Sequence, residues 1–262
     1  MSAAAALIAG MDMLPLPGFR EPVSALTHLL GAGGFAVLGF LLIHRGRGSR
    51  ARVAYLGIYV GACVFLLSMS GVYHMLEFGG KARAVLERLD HGAIFVLIAG
   101  TFTPAHGLLF RGAGRWGMLL LIWGAAAAGI TLKTVFFTSV SEWLGLVFYL
   151  ALGWLGALSA VALWRSYGAT LVKPLLWGGV AYTAGALLDC LGWPVLWPGV
   201  FGTHEAFHVA VLLGAALHWT FIWQFASGLP PLPRLHRARS STELRPAHGL
   251  YCARDWSTCF LP

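Results

Sequence analysis

Seven apolar runs divide the 262-residue chain, near residues 23–43, 53–76, 91–110, 116–136, 142–164, 174–191 and 204–226. A bilayer core about 30 Å thick takes roughly 20 apolar residues of helix to cross. Inside it every backbone N–H and C=O must be satisfied within the protein, which for isolated apolar runs of this length leaves the α-helix. The gaps are short and carry the breakers and charges, as in HRGRGSRAR, RGAGR, WRSYGATLVKP and GWPVLWPG. Short connections make successive helices antiparallel neighbours, so the expected fold is an all-α membrane protein, a bundle of seven transmembrane helices. Composition agrees: 58% of residues are hydrophobic and 11% charged, where soluble domains carry about 25% charged residues.

The runs imply a short N-terminal segment (1–20), a seven-helix domain (21–227) and a basic, proline-rich tail (228–262) expected to be disordered. The first residues lack a basic n-region and are not read as a signal peptide. The net charge of +8 resides in the gaps and tail, where it biases topology, so no nucleic-acid partner is expected. Cys63, Cys190, Cys252 and Cys259 form no C-x-x-C pair, which argues against a disulfide framework or a thiolate zinc site. The absence of a convincing internal repeat argues against an inverted-repeat transporter.

With seven spans, the N-terminus and the second, fourth and sixth connections share one side. The polar residues gather there: Glu21, Ser24 and His28 at the first run, Ser70 and His74 ending the second, Asp90 and His91 opening the third, His204, Glu205 and His208 opening the seventh. Ionisable groups at membrane depth are costly and mark function by default. Residues four apart share a helical face, as do Ser70 with His74 and His204 with His208. A lone buried histidine is ordinarily just hydrogen-bonded. Three converging from two helices suit a tetrahedral zinc with its fourth position left to water. Asp90 is either a helix cap or a group that orients the water and accepts its proton, and Ser70 a donor to that water or to a substrate oxygen. The run HEAFH spells the H-E-x-x-H of zinc proteases, in which Glu205 would be the base. The plainer reading makes Glu205 a helix-start carboxylate. Glu21, Ser24 and His28 are expected to form a polar network beside the site, with His28 not a ligand. Asp189 is left open between a group behind the metal ligands and a snorkelling interfacial carboxylate.

EPVSALTH, Ser70 with His74, LDHGAIFVLIAGTFTP and HEAFHVAVLLGAALH together resemble the hemolysin III family, the bacterial branch of the progestin and adipoQ receptor group, in a superfamily that includes alkaline ceramidases. The resemblance covers about residues 20–226. It implies His74, His204 and His208 as zinc ligands, Asp90 and Ser70 as partners of the metal-bound water, and a ceramidase-like activity. Ser24 stands where the family pattern often has asparagine, and the tail matches nothing in it. The chain shows no amphipathic, toxin-like helix of the kind the word hemolysin suggests.

The resulting expectation is a zinc hydrolase in a bacterial plasma (inner) membrane, cleaving an amide or ester bond of a lipid that arrives laterally from the bilayer, with membrane lipids as partners. A receptor with a structural zinc and an intramembrane zinc protease are the alternatives. Positive residues number five on the N-terminal side (Arg20, Lys81, Arg83, Arg88, Lys133) and eleven on the other (Arg45, Arg47, Arg50, Arg52, Arg111, Arg115, Arg165, Lys173, Arg234, Arg237, Arg239). The positive-inside rule then puts the N-terminus outside and the C-terminus in the cytoplasm, the reverse of what the receptor-type members of the family imply.

Overall fold

A computed structural model describes residues 14–230. The expectations for the first thirteen residues and for most of the tail, including Cys252, Cys259, Arg234, Arg237 and Arg239, lie outside the described residues. Seven helices are long and apolar enough to span a membrane: α1 Pro22–Arg45, α2 Arg50–Met75, α3 Lys81–Leu109, α4 Gly112–Thr134, α5 Glu142–Tyr167, α6 Ala169–Leu191 and α7 Thr203–Trp223. Among the described residues there is no strand, only two isolated bridges. The outer surface is apolar, with Leu30 74%, Phe40 69% and Leu120 75% exposed, a surface that water would penalise and acyl chains accept. This is an integral membrane protein.

The order of burial identifies the central helix. Of the apolar window of α3, 72% is buried, against 22–39% for the other six, so α3 runs through the bundle. Successive helices pack side by side, and α7 also meets α1. Main-chain bonds fasten the start of α1 to the end of α2: Glu21 N–H donates to the His74 carbonyl at 3.0 Å and Arg20 N–H to that of Met75 at 3.2 Å. Pro22 sits in the first turn of α1, where its missing N–H costs nothing.

Two boundaries and the placement of one charge differ from the sequence reading. α3 begins at Lys81, not near residue 91, so Asp90 lies well inside the helix and is not its cap. The charged stretch KARAVLERL is helical because its polar groups are held: Arg83 donates to Glu21 Oε2 at 2.6 Å and to the Tyr73 carbonyl at 3.3 Å, and Arg88 to the Thr134 carbonyl at 3.1 Å. A hydropathy window ends where charge begins, but the helix does not. α6 begins at Ala169 and carries Pro174 inside it. The joint is Gly168 alone, whose φ of 86° lies in the region that favours glycine. Lys133, counted among loop charges, ends α4 only 1% exposed, paired with Glu142 Oε1 at 3.1 Å at the start of α5. It is a buried tether between helices and carries no weight as a loop charge.

Close packing of α1 on α2 depends on Gly71, where a Cβ would come within 2.7 Å of Leu29 Cγ and 3.0 Å of the Leu29 backbone nitrogen. Gly71→Ala is therefore expected to destabilise by about 1–3 kcal/mol, read as a lower midpoint of thermal unfolding in detergent. Gly57→Ala, on the same helix with nothing within 4 Å of the added methyl, should leave the midpoint unchanged.

Candidate metal centre

One face of α1 organises the site. Glu21, Ser24 and His28 recur at helical spacing; the first reaches α2, and the other two reach α7. Glu21 Oε2 accepts from His74 Nδ1 at 2.8 Å. Ser24 Oγ donates to Glu205 Oε1 at 2.7 Å, and the Ser24 carbonyl accepts from His208 Nδ1 at 3.2 Å. His28, 2% exposed, stacks on His208 with ring centroids 3.8 Å apart and planes 13° apart. Glu21 is charged: burial alone would raise its carboxyl, yet the hydrogen bonds from His74 and Arg83 prevail and lower it from an ordinary 4.5 to about 2.

These bonds decide the tautomers. A carboxylate or a carbonyl can only accept, so His74 Nδ1 and His208 Nδ1 carry protons. His204 Nδ1 lies 3.2 Å from Asp189 Oδ2 and carries one as well. Each neutral ring then has its lone pair on Nε2. Those three Nε2 atoms converge, His204 to His74 at 3.3 Å and His208 to His204 at 3.1 Å. The ligand atoms of the three residues all lie within 4.8 Å of one another. Lone pairs facing at such distances repel unless a cation lies among them, so this group could hold a metal ion. The outer oxygens that fix each ring are the arrangement that supports metal-binding histidines.

The sequence-derived residues fall into two sets. Ser70, His74, Asp90, His204 and His208 line one cavity, with Glu21, His28 and Asp189 also on its wall. Asp90 has His74, His91, Ser70 and His204 as its polar surroundings. Ser24 and Glu205 stand behind this wall. Glu205 is 3% exposed, and both its oxygens are taken, Oε1 by Ser24 and Oε2 by the Gly202 N–H at 2.8 Å. It braces the start of α7 from outside the cavity wall.

Sequence reasoning missed Arg83, which clamps Glu21 and stacks over Tyr73 at 4.4 Å. It also missed the Lys133–Glu142 pair, joined by His91 Nε2 at 3.5 Å from Glu142 Oε2. Arg83 was legible only to a reader who extended α3 back to Lys81. The cavity, about 590 Å³, runs past the histidines along α3 as far as His106 and is lined chiefly by apolar side chains. Cys63 and Cys190 are free thiols.

A seven-helix membrane bundle with three histidines converging at one end defines the class. A family model described as Haemolysin-III related matches residues 18–219, and the chain belongs to that family. It is 32% identical to Hemolysin-3 of Bacillus cereus over 201 residues, covering 76% of this chain and 88% of that protein. It is 30% identical to the Hemolysin-3 homolog of Bacillus subtilis (strain 168), covering 75% and 90%. Beyond bacteria, the Heptahelical transmembrane protein ADIPOR2 of Oryza sativa subsp. japonica is 29% identical over 182 residues, covering 63% and 79%.

Metal analysis of detergent-purified protein checks the site. His74→Ala, His204→Ala and His208→Ala should each lower bound metal, whereas His28→Ala should keep most of it. Full metal content in all three ligand variants would refute the assignment. Glu205→Gln should also retain metal while lowering stability by about 1 kcal/mol, since the amide keeps only one of the two acceptors.

Proposed function

We propose that the protein is a zinc-dependent hydrolase of a lipid amide or ester. The observation that carries this reading is the position of the three Nε2 atoms at one end of a long apolar cavity, beside Asp90 and Ser70. His74, His204 and His208 would hold the zinc. When bound, zinc supplies Lewis acidity, which polarises a carbonyl and makes water nucleophilic near neutral pH.

The rest of the chemistry falls to the protein. The apolar wall takes the acyl chain and excludes bulk water, setting the carbonyl beside Asp90. Ser70 Oγ–H hydrogen-bonds the attacking water and orients it. Asp90 accepts a proton from that water as its oxygen bonds to the carbonyl carbon. When the C–N or C–O bond breaks, the proton passes from Asp90 to the departing nitrogen or oxygen, giving a fatty acid and an amine or alcohol. Glu21, Ser24 and Asp189 hold the three imidazoles throughout. The lipid reaches the cavity laterally past α5, whose wall residues Trp143 and Trp154 are 64% and 42% exposed.

A second reading, a receptor in which the metal only ties α2 to α7, is favoured by the same braces on the imidazoles. The two readings separate on Asp90→Asn, which should keep its metal and lose about 10²–10⁴-fold of hydrolysis, because an amide cannot accept the proton. Wild-type turnover in that variant would remove Asp90 from the mechanism, and no cleavage of any long-chain amide or ester by the wild type would favour the receptor.

We place the chain in a bacterial plasma membrane with the N-terminus and the metal centre outside. The connections after α1, α3 and α5, with the helix ends that flank them, carry the denser positive charge, including Arg45, Arg47, Arg50, Arg111 and Arg115, and the burial of Lys133 removes one charge from the opposite side. A cytoplasm-dependent reporter fused after Ala226 should be active. Silence there would reverse the orientation and move the chemistry to the cytoplasmic leaflet.

A further inference from the structure

The connection between α6 and α7 lies at the end of the bundle that holds the histidines, yet its composition is not that of a turn in water. From Cys190 to Thr203 it contains no charged residue, and Trp193, Leu196 and Trp197 are 71%, 69% and 66% exposed. Leu187 and Leu191, one turn apart at the end of α6, are exposed as well, and so are Leu14 and Leu16 ahead of α1. Water penalises such a concentration of bare apolar side chains. Because α6 is itself a span, the patch runs on from the surface that the bundle already turns to lipid.

The backbone of the connection suits a place poor in water. Leu196 and Trp197 N–H both donate to the Phe201 carbonyl, at 3.1 and 3.0 Å, and Val200 and Phe201 N–H donate to the Trp197 carbonyl, at 3.0 and 2.8 Å. Gly202 N–H donates to Glu205 Oε2 at 2.8 Å, and Pro194 and Pro198 have no N–H to satisfy. The Gly199 carbonyl accepts from Leu14 N–H at 2.7 Å, which ties the segment ahead of α1 to the same turn. Irregular backbone is excluded from lipid where its polar groups lack partners. Tryptophan gathers at the boundary between headgroups and acyl chains, where its apolar ring and its polar N–H are both accommodated. A self-bonded turn that exposes two tryptophans and a leucine meets both conditions.

We infer that the turn 192–202, with Leu14 bonded to it, is seated in the lipid interface and anchors the α6–α7 end of the bundle to the headgroup–acyl boundary of its leaflet. Interfacial segments bury their apolar face about 5–10 Å into that boundary, a depth that takes in the two indoles and Leu196. The seat is a property of this surface and depends neither on the reaction at the histidines nor on which side of the membrane they face.

The test places a nitroxide on the full-length protein in phosphatidylcholine vesicles, in a background whose four native cysteines are replaced by alanine. Leu196→Cys and Trp197→Cys carry the label on the turn. Lys81→Cys, exposed at the start of α3 on the same side, is the water control, and Leu120→Cys, exposed midway along α4, is the hydrocarbon control. Collision with oxygen, which partitions into lipid, is compared with collision with a water-soluble nickel chelate. The oxygen-to-nickel ratio at the two turn positions should exceed that of the water control several-fold and fall below that of the hydrocarbon control. A ratio equal to the water control would overturn the seat. Exclusion of both reagents would mean that protein covers the turn, which overturns it as well. The unsubstituted protein gives a second measurement: a phosphatidylcholine with a photoactivatable diazirine near its glycerol should form adducts on the peptide containing Trp193–Phe201, and no adduct there would overturn the seat whatever the labelled variants show.

Discussion

Each of three imidazoles has its Nδ1–H held by an oxygen from another helix, and the three Nε2 lone pairs are thereby aimed at one another. No single helix could produce this. The acceptors come from the residue before α1, from the α1 backbone and from α6, while the imidazoles come from α2 and α7. Convergence of lone pairs is unfavourable without a cation, and His74, His204 and His208 form a group that could hold a metal ion. Behind this group, the Arg83 guanidinium offsets the charge of Glu21, and Asp189 accepts from His204 Nδ1–H.

The solvent gives this network its weight. In a bilayer, polar groups inside a bundle have few alternatives to each other, so a small number of bonds determines which helices are neighbours at which height. Lys133 with Glu142 ties the end of α4 to the start of α5, and Arg88 with the Thr134 carbonyl ties α3 to α4. These contacts surround the same end of the bundle as the histidines. The opposite end has its own pair, His106 Nε2 with Ser159 Oγ at 2.9 Å, at the far limit of the cavity. Between the two ends the wall is lined chiefly by apolar side chains, which gives the space a polar head and a greasy length.

Two readings of the H-E-x-x-H run compete on chemistry, and the bonds separate them. His204 and His208 share a face that looks into the cavity, while Glu205 turns to α1 and closes the first turn of α7. A glutamate with both oxygens engaged behind the wall holds a helix, whereas Asp90 lies on the wall itself among His74, His91, Ser70 and His204.

The number of spans, their antiparallel order and the gathering of polar residues at one end were determined by the sequence alone. Apolar length and chain parity are one-dimensional properties, and i, i+4 spacing fixes which histidines share a face. The sequence also singled out Glu21, Ser24 and His28, because their helical spacing survives any packing. Tertiary structure alone decided what depends on contacts between distant segments. It assigned Glu21 to His74, Ser24 to Glu205, and Asp189 to His204, the choice left open between a supporting carboxylate and a snorkelling one. It extended α3 back to Lys81, because the carboxylate and carbonyls that hold Arg83 and Arg88 come from other parts of the chain and no hydropathy window sees them. It buried Lys133 against Glu142 across a turn. The tautomers of the three histidines, and with them the direction of the lone pairs, follow from acceptors more than fifty residues away in two of three cases, information that exists only once the helices have packed.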